Sequence, residues 1–173
     1  MYRINSVACK MLTMIPAIFA AGPLPAEEQQ HRFEATHEFR VAAPVADVFL
    51  LFLPEGESRW APSWSPTPIV PNVIRAEKNA VFVTGTDENQ KVWTIVNFDP
   101  DAFTIEYLVV DTDYQQRWIA VRCRELQPGE SSVSVTYITT ALSDDGLENL
   151  RRYDVEFIKE WEAPVRNIFE SAE

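Results

Sequence analysis

The chain is poor in the residues that form disulfides and metal sites. Of its 173 residues, two are cysteine (Cys9 and Cys123) and two are histidine (His31 and His37). Cys9 lies in a segment that we expect to be removed, so no internal disulfide can form in the mature chain. Cys123 takes an apolar position of a predicted strand, which favours a buried, inert thiol. No group of these residues has metal-ligand spacing, so neither a metal nor a cofactor is predicted.

Clusters of basic residues are also lacking. The chain has 15 Lys and Arg against 26 Asp and Glu, which gives a formal net charge of −11. A nucleic-acid backbone or an anionic membrane surface would be repelled, and no basic stripe overcomes that repulsion. We therefore expect neither as a partner. The 46% apolar share and the length of the chain predict one globular domain with a substantial core.

Familiar catalytic motifs are missing. No serine stands in a nucleophile-elbow context and no glycine-rich phosphate loop occurs. No carboxylate falls at a clearly inward position of a predicted strand. The sequence thus favours a function without catalysis.

The N-terminal segment has no apolar run long enough to span a bilayer. Two basic residues precede a short uncharged run, residues 11–22, and Ala26 stands ahead of an acidic pair. This order predicts a secretory signal over residues 1–26, followed by a single domain over residues 27–173 in the periplasm or outside the cell. The alternative is a cytoplasmic protein that starts at one of the internal methionines of this segment.

Alternating apolar and polar residues predict strands over most of the remaining chain. Short turns separate them, which indicates an antiparallel meander. Pro44 opens a short helix after the first strand. The segment Arg59–Pro68 contains four prolines, which predict a stiff loop. The predicted strands are residues 31–41, 69–74, 80–84, 91–98, 103–110, 115–125 and 132–142.

A single long amphipathic helix is predicted at the end of the chain, from Ser143 to Ser171. Ser143 and two aspartates begin it, and Pro164 is expected to kink it. Its inner stripe consists of Leu147, Leu150, Asp154, Phe157, Ile158, Trp161, Val165 and Ile168. The predicted architecture is an α+β fold, a curved antiparallel sheet of six to seven strands wrapped around this helix. The space between the sheet and the helix is the natural place for an apolar ligand.

Three local patterns resemble a known family. They are the stretch 51–66 (Leu-Phe-x-Pro-Glu-Gly-Glu-x-x-Trp-x-Pro-x-Trp-x-Pro), the strand Val135-Thr136-Tyr137 leading to Ala141-Leu142-Ser143, and the pair Trp161-Glu162. Over about residues 32–170 the chain resembles the START/Bet v 1-like (SRPBCC) superfamily, in its polyketide-cyclase-like bacterial branch. The resemblance implies a helix-grip fold. Members include lipid-transfer domains, ligand carriers, cyclases and aromatases, and co-chaperone-like domains. Their catalytic residues differ between subfamilies, so the resemblance implies none here.

Strand parity selects the candidate ligand-binding residues. The inward positions are mainly apolar, with a few polar exceptions, which is typical of a small-molecule cavity. Each polar exception could instead be a core residue that bonds inside the protein. Trp60 and Trp64 either line a portal or plug one end of the sheet. The candidates that could contact a ligand are His37, Trp93, Tyr107, Arg117, Tyr137, Phe157 and Trp161.

Three functions follow from these patterns. The first is binding or transport of a hydrophobic small molecule or lipid, with Arg117 or His37 orienting a polar head group. The second is a cyclase, aromatase or dehydratase that uses histidine, tyrosine and arginine side chains in the cavity. The third is a co-chaperone-like interaction module, whose core would be filled by Trp93, Trp118 and Trp161.

Overall fold

A computed structural model describes residues 31–112, 114–152 and 159–170. The predicted signal over residues 1–26 and the candidate Phe157 lie outside the described residues. The elements in chain order are β1 (Arg32–Val41), α1 (Val45–Leu50), a 3₁₀ turn (Glu57–Arg59), β2 (Thr67–Val70), β3 (Val81–Thr84), β4 (Lys91–Asp99), β5 (Thr104–Asp111), β6 (Gln115–Gln127), β7 (Glu130–Ala141), α2 (Asp144–Leu150) and α3 (Glu162–Glu170).

The seven strands form one antiparallel sheet in the order β1-β7-β6-β5-β4-β3-β2. Strands β2 to β7 form a meander, because each pairs with the next along the chain. The N-terminal strand β1 forms the other edge of the sheet, where it pairs with the last strand, β7, over ten residues. This topology, with helices on one side and at the end of the chain, confirms the predicted α+β helix-grip fold.

Alternation in β7 shows why the pattern of period two predicts the inner face correctly. Val133, Val135, Tyr137 and Thr139 are all buried, whereas the residues between them are only partly buried. Side chains of a strand alternate between the two faces of the sheet, so the buried set defines the inner face. Cys123 on β6 also belongs to it, and burial raises the pKa of its thiol to about 12. The predicted buried cysteine is confirmed.

A β-bulge in β4 explains why both parities of this strand are apolar. The register shifts between Ile95 and Asn97, so that one extra residue lies on β4 at this point. Trp93 and Ile95 are buried before the bulge, while Phe98 faces Ile105 after it. Because a bulge moves the strand by one position, each parity contributes apolar residues to the inner face in turn.

The proline-rich loop is shorter than predicted, because β2 begins at Thr67 and includes Pro68. β2 is an edge strand that pairs only with β3. A proline fits an edge strand, since no further strand needs its missing N–H. The predicted strand over residues 69–74 is therefore displaced toward the N-terminus.

The C-terminal helix is present, but the predicted uninterrupted span is not. Ser143 caps α2, and its Oγ accepts a hydrogen bond of 3.1 Å from the backbone N–H of Gly146. Turns occur at residues 151–152 and again at 160–161, before α3 begins. Pro164 is the third residue of α3, in the first turn, where a missing N–H breaks no helical hydrogen bond. Contrary to the prediction from the sequence, Pro164 therefore lies at the start of a helix and does not kink a continuous one.

Candidate functional site

The middle of the inner face is an apolar surface that crosses the sheet. Tyr137, Ile119 and Tyr107 stand opposite one another on β7, β6 and β5, and Ile95 follows on β4. All four are buried. Directly opposite residues on one face of a sheet lie close together, so these side chains form one continuous surface.

Aromatic rings form a wall along one side of this surface. The indole of Trp93 stacks on Phe82 with ring centres 5.8 Å apart, and meets Trp64 and Tyr107 edge to face at 5.1 and 5.8 Å. The Trp93 indole N–H donates to Thr84 Oγ1 at 2.9 Å. Rings in such arrangements stabilise one another beyond the area they bury. The predicted candidates Trp93 and Tyr107 are thus part of one packed group.

Tyr107 and Glu57 are two buried titratable groups behind this wall. The Tyr107 hydroxyl donates to the backbone carbonyl of Phe52 at 2.8 Å. Burial raises the pKa of Tyr107 well above its ordinary value, and the charges of Glu57 and Glu55 add to the effect. Burial likewise raises the pKa of Glu57 well above 4.5. Because the charged form of a buried carboxyl is disfavoured, Glu57 keeps its proton over a wider pH range than an exposed glutamate.

Trp60 and Trp64 are both fixed by hydrogen bonds. The Trp60 indole N–H donates to the carbonyl of Leu51 at 2.6 Å, and that of Trp64 donates to the carbonyl of Pro54 at 2.7 Å. Trp60 is buried and Trp64 is partly buried. Both rings close the space between the loop and the inner face, and their predicted role at a portal stays a prediction.

The end of the inner face near α3 is closed by direct packing. Trp161 lies between Tyr137 and Trp60, with ring centres 5.2 and 5.4 Å away. Val165, one turn further along α3, is fully buried. The predicted gap between sheet and helix is therefore absent here, because large side chains of both surfaces fill it. We call this region the closed end.

Polar groups at the closed end all have protein partners. His37 projects from β1 on the inner parity, and its Nε2 lies 2.8 Å from Glu162 Oε2. The other oxygen of Glu162 pairs with Arg166 at 2.7 Å. Arg166 in turn donates from Nε to the backbone carbonyl of Arg40 at 2.9 Å. These contacts join α3 to β1 and place the candidate His37 beside a carboxylate.

A second polar group lies on the inner face at the opposite end of the sheet. Thr139 on β7 faces Arg117 on β6, and Arg117 also faces Val109 on β5. In the next row, Lys91 on β4 faces Asp111 on β5. We call Lys91, Asp111, Arg117 and Thr139 the polar end. They lie beyond the apolar middle of the same face.

Electrostatics at the polar end differ from those at the closed end. Burial lowers the pKa of Lys91, and the nearby positive charge of Arg117 lowers it further, while Asp111 acts in the opposite direction. Thr139 is fully buried, and its hydroxyl has no hydrogen-bond partner among the described residues. An orphaned buried hydroxyl is unusual, because burial without a partner costs free energy.

Three of these groups were not singled out by the sequence. Glu57 follows a helix on a 3₁₀ turn, where strand parity carries no information. Lys91 stands at the start of a strand whose parity was ambiguous until the bulge was known. Thr139 has the inward parity, but threonine is common in strands and no pattern marks a missing partner.

Trp118, the third tryptophan of the interaction-module hypothesis, is not in the core. It faces Leu108 and Ile138 on the outer face of the sheet, where all three are partly buried. The core of the described residues therefore contains Trp93 and packs against Trp161, without Trp118.

Other surfaces offer little for chemistry. An open groove of about 600 Å³ lies between the β6–β7 turn and α3, lined in part by Arg40, Glu130, Arg166 and Phe169. Within the described ranges, no group of three His, Cys, Asp or Glu side chains could hold a metal ion. No helix in that part of the chain has the length and apolar character needed to cross a membrane.

Comparison with known proteins relates the fold to solved structures. No protein-family model matches the sequence, and no curated protein matches it. Norcoclaurine synthase from Thalictrum flavum, solved with dopamine and hydroxybenzaldehyde, has a TM-score of 0.61 at 7% identity, over 88% of this chain and 95% of that one. A protein from Thermobifida fusca has a TM-score of 0.62 at 18% identity, over 81% and 95%. The ZhuI aromatase/cyclase from Streptomyces has a TM-score of 0.56 at 16% identity, over 78% of this chain and 92% of that one.

These similarities define a class by its fold. The chain has the helix-grip fold of START/Bet v 1-like (SRPBCC) proteins, as its sequence patterns predicted. Identities this low establish the fold and leave the ligand and the activity to be argued from the residues.

Proposed function

We propose that this protein binds a hydrophobic small molecule or lipid on the inner face of its sheet, without catalysing a reaction. The predicted signal over residues 1–26 would place this carrier in the periplasm or outside the cell. Sequencing the N-terminus of the natively expressed protein tests that location, since a mature chain beginning near Glu27 is expected.

One row of the inner face carries this proposal. From β4 to β7 it runs through Trp93, Val109, Arg117 and Thr139, each directly opposite the next. It thus passes from an aromatic wall to charged and hydroxyl groups within four strands. A mostly apolar surface with a few polar groups at one side is the usual form of a small-molecule site. A surface that served packing alone would be expected to give each buried polar group a partner inside the protein, and the Thr139 hydroxyl has none among the described residues.

The fold supports the same proposal at a coarser level. Norcoclaurine synthase was solved with small aromatic molecules, and the aromatase/cyclases share its architecture with this chain. We place the ligand toward the polar end, beside Val109, because the polar groups of the row lie there; Val109 is itself buried, so the ligand would displace side chains that now cover it. Its affinity would come mainly from the apolar area that it buries.

The experiment combines native mass spectrometry of gently purified protein with binding of the neutral fluorescent probe N-phenyl-1-naphthylamine. We expect a copurified mass that organic solvent removes, and saturable probe fluorescence in the emptied protein. Val109→Trp places a large ring where the ligand would lie and should abolish probe binding, whereas Val110→Trp, on the outer face of the same strand, should leave it unchanged. Val109→Ala, which enlarges the site, should strengthen binding.

Two outcomes would contradict the proposed binding. A bare polypeptide mass together with no saturable fluorescence would overturn the proposal. Equal loss of binding in the Val109 and Val110 variants would also contradict it, because the probe would then bind outside the inner face. Circular dichroism of each variant shows whether it is folded, and Val109→Ala remains informative if Val109→Trp does not fold.

A second function, catalysis of the cyclase or aromatase type, is favoured by one contact. His37 Nε2 lies 2.8 Å from a Glu162 carboxylate oxygen, an arrangement that orients a histidine as a general base. Deuterium exchange at the α-carbon of phenylacetone, followed by NMR, tests it. Acceleration by the natural protein that His37→Gln abolishes would support catalysis. Exchange at the background rate would exclude this reaction for the histidine.

A further inference from the structure

We propose that the polar end is a binding site for the anionic head group, a carboxylate or a phosphate, of the hydrophobic ligand, with Thr139 and Arg117 as its hydrogen-bond donors and Lys91 as a second cation. This inference rests on the proposed function, because it assigns the head group of the molecule that the apolar row would hold.

The Thr139 hydroxyl is the first observation. The side chain is fully buried, it stands on the inner parity, and its Oγ1 has no partner among the described residues. Elsewhere on the same strand, Ser131 is equally buried, and its hydroxyl donates to the carbonyl of Ala43 at 2.7 Å. Since an O–H group buried without an acceptor is costly, a ligand oxygen would supply the acceptor that the protein lacks at Thr139.

The two cations are the second observation. Arg117 is directly opposite Thr139, and its charge reaches Lys91, which is partly buried in the neighbouring row. Like charges in a partly buried location repel one another unless an anion lies between them. Asp111 offsets part of this charge. Arg117 also interacts with other groups of the protein, but a guanidinium has five N–H donors and can bind a further acceptor.

The charge of the whole chain makes this location stand out. The net charge is −11, so an anion would find little attraction over most of the surface. Lys91 and Arg117 stand against the single carboxylate of Asp111, so the named groups of the polar end carry a net positive charge beside an orphaned donor. A neutral head group could accept a hydrogen bond from these cations but would gain no charge–charge attraction, and a cationic head group would be repelled, so the chemistry favours an anion.

The experiment measures displacement of N-phenyl-1-naphthylamine by three ligands with the same C16 chain: hexadecanoate, hexadecyl phosphate and hexadecanol. In the natural protein we expect the better of the two anions to bind at least about tenfold more tightly than the alcohol, which corresponds to one charge-assisted hydrogen bond. Thr139→Val, which keeps the shape and removes the O–H, should reduce that ratio about tenfold. Thr140→Val, on the outer parity of the same strand, should leave the ratio unchanged.

The outcomes distinguish this inference from the proposed function. If all three ligands bind equally, the protein binds apolar chains but the head-group site is wrong. If none binds, the proposed function itself fails. A preference for hexadecanoate identifies a carboxylate, and a preference for hexadecyl phosphate identifies a phosphate; either supports the site. Lys91→Gln is a second variant with a partly exposed side chain, and an unchanged anion-to-alcohol ratio in both Thr139→Val and Lys91→Gln would overturn the inference.

Discussion

The two ends of the inner face solve the problem of buried polar groups differently. At the closed end, His37, Glu162 and Arg166 form a chain of contacts that ends on a backbone carbonyl. At the polar end, the Thr139 hydroxyl has no acceptor among the described residues, and Lys91 is partly buried close to another cation. Val135, opposite His37, and Thr139 are four residues apart on β7, about 13 Å at the usual rise of a strand.

On the proposed function, this difference separates structural polar groups from groups available to a ligand. A satisfied pair at a helix–sheet contact fixes the helix and needs nothing further. A buried hydroxyl without a partner lowers the stability of the protein, and on the proposed function a ligand acceptor would offset that cost. Functional sites commonly carry such costs, whereas packing contacts do not. The closed end should therefore respond to substitution by losing stability, and the polar end by losing affinity.

The largest expected effect comes from breaking the closed end at Trp161. Its ring contacts both Tyr137 and Trp60, and it joins the start of α3 to the sheet. Removing a large packed ring leaves a cavity, so Trp161→Ala should lower the free energy of unfolding by about 3 kcal/mol. Urea unfolding followed by circular dichroism measures this change.

An exposed apolar side chain serves as the control. Leu126 on β6 is 46% exposed, so Leu126→Ala should change stability by less than about 0.5 kcal/mol. A loss below about 1 kcal/mol in Trp161→Ala would mean that the helix is not held on the sheet by this ring. In that case the contrast between the two ends would disappear.

A smaller effect compares two buried hydroxyls on one strand. Ser131 has an acceptor at 2.7 Å and Thr139 has none among the described residues. Ser131→Ala should destabilise the protein by about 1 to 2 kcal/mol, because it removes a hydrogen bond and leaves the Ala43 carbonyl unpaired. Thr139→Val should be neutral or stabilising in the emptied protein. Thermal unfolding of both variants after ligand removal measures the pair.

The sign of the Thr139 effect decides this comparison. Equal destabilisation by both substitutions would show that Thr139 has a protein acceptor after all. The contrast would then vanish, and Thr139 would no longer need an acceptor from a ligand head group.

The fold could be predicted from the sequence further than the site could. Alternation placed Val133, Val135 and Tyr137 on the inner face, because period two is a direct consequence of strand geometry. The bulge in β4 could not be predicted, since both parities there are apolar and the choice is made by pairing with β5. The long C-terminal helix was predicted without its turns, because apolar spacing continues through them.

The site was harder to predict, because it depends on partners and not on residue types. The parity that placed His37, Tyr107 and Arg117 inward could not show which of them already bonds inside the protein. Tyr107 donates to a carbonyl 55 residues away in the sequence, and His37 meets a carboxylate 125 residues away. Such long-range pairs exist only after folding, so a sequence pattern predicts a face but not which of its polar groups remains open.

The smallest expected effect concerns the charge of Lys91. Its pKa is lowered in the folded protein, mainly by burial and also by Arg117, while Asp111 acts in the opposite sense. The folded state then holds this proton less tightly than the unfolded state, so the charged side chain costs stability at neutral pH. That cost disappears as the pH rises from the lowered pKa toward 10.5.

Lys91→Met removes both the cost and its pH dependence. Relative to the natural protein, the variant should be slightly more stable at about pH 7, and the difference should shrink at about pH 9.5. Lys78→Met, at an exposed position, is the matched control and should show neither effect. Urea unfolding at both pH values measures the differences.

Bound hexadecanoate should abolish the stability advantage of Lys91→Met, because an anion beside Lys91 favours its charged form. An advantage that persists with the anion bound would place the head group elsewhere and leave the two ends of the face alike.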